Sequence, residues 1–268
     1  MISKRKNNIY YKGLNIMAEI SDTPVLRADA RQLVIGPSDL YGFHRKLLWI
    51  GCLLVLAHGA AMALKYYAGN DMAFGLVPLF DFYEEGNIPT YASTLNLLLT
   101  SGLLFVIARL AREAGHKDVN AWHILAAGFL FMSVDEFADL RQILSKVVKA
   151  VAGAHFEAVP LLSVAWTVPV ALIVIVVAIC MLPFLLRLKK VYMINFALAG
   201  GAFVFAAIGF ETIEGNHVAL THGVRDFAFM LMVTAEETLE IFSILYFQYF
   251  LLRYINEYHR GVYLRVSY

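Results

Sequence analysis

Long apolar runs alternate with short polar ones along most of this chain. Six apolar segments, roughly 46–66, 89–110, 121–141, 161–187, 191–214 and 227–253, reach the roughly 20 residues a helix needs to cross a bilayer. Backbone in hydrocarbon must satisfy its own hydrogen bonds, so the pattern predicts helices rather than irregular chain. The expected fold is an all-α integral membrane protein, a bundle of about six transmembrane helices. Residues 1–44 form a polar N-terminal segment, 45–254 the membrane domain and 255–268 a tail.

Composition supports this. Hydrophobic residues make up 60% of the 268 and charged ones only 16%, where a soluble domain carries about 25% charged residues. The net charge of +1 offers no basic surface for nucleic acid. Cys52 and Cys180 fall in different apolar runs, which argues against a structural disulfide.

The cations orient the bundle. Lys4, Arg5, Lys6, Lys12, Arg27, Arg31, Arg45 and Lys46 precede the first run. Arg109, Arg112 and Lys117 follow the second, Arg187, Lys189 and Lys190 the fourth, and Arg253, Arg260 and Arg265 the sixth. With alternating spans these lie on one side, which the positive-inside rule makes cytoplasmic. Both termini are therefore expected in the cytoplasm and the protein in a bacterial-type inner membrane. The first 40 or so residues lack the apolar core of a signal peptide, and Met1 and Met17 both stand as candidate starts. Residues 22–44 mix charged and apolar positions, a candidate interfacial helix.

Acidic residues then change the picture. The third run ends in "MSVDEFADLRQ", with Asp135, Glu136 and Asp139; the fifth ends in "GFETIEGNH", with Glu211, Glu214 and His217; the sixth holds "VTAEETLEIF", with Glu236, Glu237 and Glu240. The topology sets these eight carboxylates at one depth, toward the outer face. Helical neighbours lie three or four residues apart, so each run offers a local acidic pair. Gly200, Gly201 and Gly209 are expected to let the fifth helix approach others closely. The first outer loop adds Asp81, Glu84 and Glu85.

An ionised side chain at mid-bilayer costs about 2.5–3.5 kcal/mol on insertion scales. Eight acids, with only Arg141 and Arg225 nearby in sequence, cannot all stay ionised and unpaired. They bind a cation, take up protons or line water. A divalent metal site, mononuclear or dinuclear, is the leading expectation, since carboxylates suit hard and borderline ions. One histidine, His217, biases toward iron, manganese or zinc, and iron or manganese is favoured, with zinc and calcium as alternatives. Glu214 and His217 have the Glu-x-x-His spacing of di-iron carboxylate bundles, but the second such motif is missing. Iron or manganese would bring oxidation chemistry, as in a membrane oxidoreductase; zinc, hydrolysis by an activated water; calcium, a structural site. A proton or cation pathway through the same carboxylates is the second expectation. An accessory subunit of a larger membrane complex is the third. Membrane lipid is the expected surround, with other membrane subunits or further copies of the chain as partners. His58, His155 and His222 read as structural or solvated, and His116 and His123 fall at the cytoplasmic end.

The segments "FMSVDEFADL", "GFETIEG" and "VTAEETLE" resemble those of uncharacterised bacterial multi-pass membrane proteins, a likeness that implies no activity. The alternative-oxidase type of membrane di-iron protein is similar only in being rich in carboxylates.

Overall fold

A computed structural model describes residues 33–152, 164–259 and 264–266. Strands β1 (Leu33–Ile35) and β2 (Leu264–Val266) pair antiparallel, Val34 opposite Arg265, and belong to a small unit of their own. Every regular element described in the second unit, Pro37–Val262, is helical. The candidate interfacial helix at 22–44 is replaced in part: residues 22–32 lie outside the described residues, Leu33–Ile35 is strand, and a transmembrane-length helix starts already at Pro37. Proline suits a first helical position, where no N–H is required.

The helices are α1 (Pro37–Tyr66), α2 (Leu76–Phe80), α3 (Ile88–Glu113), α4 (Val119–Ala138), α5 (Leu140–Ala152), α6 (Thr167–Arg187), α7 (Lys190–Val204), α8 (Glu211–Leu220) and α9 (Phe227–His259). A π-helical turn at Phe205–Phe210 joins α7 to α8 in one rod, Lys190–Leu220. Among the described residues, four helices are long and apolar enough to cross a membrane: α1, α3, α6 and this rod. The other two expected spans, α4 and α9, are helical but carry the acids.

Local chemistry sets the boundaries. Asn87 caps α3 by accepting the Thr90 N–H at 3.1 Å. Asp226 caps α9 in the same way, its Oδ1 accepting the Phe229 N–H at 3.0 Å. The third expected span, to residue 141, stops early because Asp139 turns left-handed (φ 50°, ψ 49°), a conformation Asp tolerates better than most residues.

α9 is the axis of the bundle, with α1, α3, α7 and α8 packed against it. Around Trp122, Phe184 and Tyr254 lie with ring centroids at 4.9 and 5.0 Å, in a core that Tyr192 and Leu251 complete. A second core joins α1 to α9 through Leu54, Met62, Val233 and Ile241. Close helix approach occurs at Gly51, where a Cβ would meet Ile241 Cγ2 at 3.2 Å. Gly200 and Gly201 have no such neighbour, which corrects the expectation that they mediate tight packing. Polar groups tie the helices where apolar contact alone gives little specificity. Gln248 on α9 donates to Asn96 Oδ1 at 2.7 Å, and Ser101 on α3 donates to the Ala126 carbonyl of α4, also at 2.7 Å. α6 exposes Ile173, Ile175, Val176, Ile179, Leu182 and Leu186, an apolar circumference suited to lipid.

Candidate functional site

Four parts of the chain deliver the acids to one place. The end of α4 brings Asp135 and Glu136, the left-handed turn brings Asp139, the rod brings Glu211 and Glu214, and the first half of α9 brings Glu236 and Glu237. The loop before α3 adds Glu84 and Glu85. With the exception of Asp135, all of them line a cavity of about 700 Å³. Glu240, one turn further along α9, is outside that lining. Three cations also line it, Arg141, Lys149 and Arg225, too few to neutralise every carboxylate.

The π turn supplies part of this placement. It spreads one extra residue over the turn before Glu211 and so rotates α8 relative to α7, a device often found at functional sites.

The acids divide into two groups. Arg141 holds the first. Its Nε lies 3.3 Å from Asp135 Oδ2, and its Nη2 lies 3.5 Å from Glu136 Oε2 and 3.9 Å from Glu85 Oε1. Asp135 Oδ1 also accepts the Arg141 backbone N–H at 3.1 Å. Glu237 and Glu240 feel both Glu136 and Arg141 electrostatically, and the charge of Arg141 reaches Glu211 as well. Burial raises the Glu85 carboxyl above its ordinary range, and Arg141 partly reverses this.

The second group is Glu211, Glu214 and Glu236. One carboxylate oxygen from each lies within 4.8 Å of the others. Glu214 and Glu236 are 6% and 5% exposed. Glu214 Oε1 is buried without a hydrogen-bond partner, and an unsatisfied buried acceptor is costly. The Trp166 indole N–H faces Glu211, and the Glu214 and Glu236 carboxyls are close enough to share a proton. Acceptors this close need a cation or protons between them.

His217 stands apart. Its Nε2 contacts Asp226 Oδ1 at 3.0 Å instead of joining the triad. Asp226 is held below the usual carboxylate range by the Phe229 N–H and then by His217. His58 is fully buried and structural: its Nδ1 accepts the Phe82 N–H at 3.1 Å, which leaves Nε2–H to donate to Thr234 at 2.9 Å. Asp81 pairs with Lys65 at 3.0 Å, apart from Glu84 and Glu85. His155 lies outside the described residues. His222 is exposed, and His123 contacts the Val119 carbonyl.

Arg141 was legible in the sequence only as an outer-loop cation; its role as counterion depends on the turn at Asp139. Lys149 and Trp166 had no signal as site residues, because one follows on a separate helix and the other falls within the fourth apolar run.

No curated protein and no solved structure matches this chain. Residues 47–254 match the family described as "Domain of unknown function (DUF8692)", and they take in every carboxylate of the site. The chain belongs to that family of unknown function.

Proposed function

We propose that this is a six-span membrane protein with both termini in the cytoplasm, whose Glu211–Glu214–Glu236 triad binds one divalent metal ion toward the outer face. α4 supports the span count, since its 20 residues make about 30 Å of helix, the thickness of the hydrocarbon core. α9, with 33 residues, is longer than that core. Its Glu236 and Glu237 line the cavity rather than face lipid, and so do not argue against a span. The cation distribution supports the orientation, in an inner membrane of bacterial type.

The triad carries the reading: three carboxylate oxygens within 4.8 Å, two of the residues nearly inaccessible, and one buried oxygen unpartnered. With His217 engaged by Asp226, the donors are all oxygen, which ranks manganese first, then iron and calcium, with zinc last. A second ion would have to sit among Glu136, Glu237 and Glu240, where Arg141 already supplies positive charge, so a single ion fits better than a pair. When bound, a redox-active ion would supply oxidation chemistry; the protein's own groups would hold it, exclude lipid and admit small polar molecules through the cavity. Glu211→Gln, Glu214→Gln and Glu236→Gln are each expected to lower metal content in protein purified without chelator. Unchanged content in all three would sink the assignment.

One observation favours a second reading. The proximity of Glu214 and Glu236 suits a shared proton, as in a proton pathway. That reading requires pH-dependent flux in liposomes, lost in Glu236→Gln, from a protein that carries no metal.

A further inference from the structure

The short helix α5 has two faces that do different things. It has 13 residues, about 20 Å, too short to span a bilayer. At 3.6 residues per turn, Ile143, Val147 and Val151 form one stripe, flanked by Leu140, Leu144 and Val148. The opposite arc holds Arg141, Gln142, Ser145 and Lys149, and all four line the acidic cavity. The apolar stripe is open: Ile143, Val147 and Val151 are 56%, 54% and 84% exposed, with nothing among the described residues covering them.

We propose that α5 is an interfacial helix lying along the outer surface of the bilayer, with Ile143, Val147 and Val151 in the acyl chains and its polar arc forming a wall of the cavity. Three observations select lipid as the occupant. The helix before it in the chain, α4, also exposes apolar side chains near its end, Phe131, Val134 and Phe137. The length and strong segregation of the two arcs match helices that lie in the interface rather than cross it. Lys146, exposed at the edge of the polar arc, is placed to meet headgroup phosphates. Docking on lipid would then hold Arg141, at the first turn of α5, beside Asp135 and Glu136. The inference rests on the span count and orientation proposed above and is independent of whether the triad binds metal.

The test uses the full chain in liposomes on a Cys52→Ser, Cys180→Ser background, since both native cysteines are exposed. Nitroxide labels are placed at Ile143→Cys, Val147→Cys and Val151→Cys, with Gln142→Cys and Lys146→Cys as opposite-arc controls. Oxygen, which partitions into lipid, is expected to relax the three stripe labels strongly and a water-soluble nickel chelate weakly, with the order inverted at the two controls. Nickel access to the stripe would overturn the proposal by placing it in water. Shielding from both reagents would overturn it by placing the stripe against protein, a second copy included. Photolabelling of the unmodified chain with a lipid-phase carbene probe gives a readout that needs no substitution: label on peptides spanning 143–151 is expected, and its absence there counts against lipid contact.

Discussion

Arg141→Met removes the counterion of the first acidic group while keeping a long side chain. At 3.3–3.9 Å from three carboxylates, each contact amounts to about 4–5 kcal/mol of Coulomb attraction at an effective dielectric near 20. Desolvation of the guanidinium and its partners offsets most of that. What the substitution costs is the penalty of leaving carboxylates without compensation, about 3–5 kcal/mol for a fully buried pair. The Arg141 side chain is 24% exposed, so the lower end applies, about 3 kcal/mol. For a chain of this size that corresponds to a fall of roughly 6–12 °C in the thermal midpoint, scaled from soluble domains and followed by intrinsic fluorescence in mild detergent. Arg141→Lys keeps the charge but loses the planar fork and should fall between the two. A drop below about 2 °C for Arg141→Met would mean that the carboxylates are neutralised some other way, and the division of the acids into two groups would be wrong.

Gly51→Leu places side-chain atoms where Ile241 and Leu245 already sit, 3.2 and 3.3 Å from the Cβ position, and is expected to cost about 1–3 kcal/mol by thermal unfolding. His58→Ala loses its bonds to Thr234 and Phe82 and its ring stack at 4.1 Å on Phe82, a cost of about 2–4 kcal/mol, yet should leave metal content unchanged; loss of metal in a folded variant would make His58 part of the site. Asp226 titrates below an unfolded aspartate because the Phe229 N–H and His217 favour its charged form. Its contribution to stability is therefore full above the unfolded value near 3.9 and declines as pH falls through the lower folded value. Asp226→Ala should lower the midpoint at neutral pH and flatten its dependence on acid; an unchanged acid profile would show that the cap and the His217 contact contribute nothing.

Helicity and the gathering of acids were legible because both depend on local pattern: long apolar runs in one case, carboxylates three or four residues apart in the other. α4 and α9 read as spans in the sequence although their acids lower their apolar character, since the flanking runs are long. Where α4 ends was not legible. Nothing in "DEFADLRQ" announces a left-handed Asp139, and without that turn Arg141 falls in a loop rather than back over Asp135 and Glu136. The selection of Glu211, Glu214 and Glu236 from eight acids also required the π turn, which changes which side chains face α9. Glu214-x-x-His217 illustrates the limit of spacing. Helical geometry makes the two residues neighbours, but Asp226, from the next loop, takes the histidine.

The most direct test of the triad is elemental analysis of the unmodified protein, purified in mild detergent without a metal-affinity tag or chelator and run beside Glu214→Gln. The expected result is about one manganese or iron per chain, strongly reduced in the variant. No metal in the unmodified protein, even after reloading under reducing conditions, would contradict a metal site and leave the shared proton between Glu214 and Glu236 as the reason these carboxylates converge.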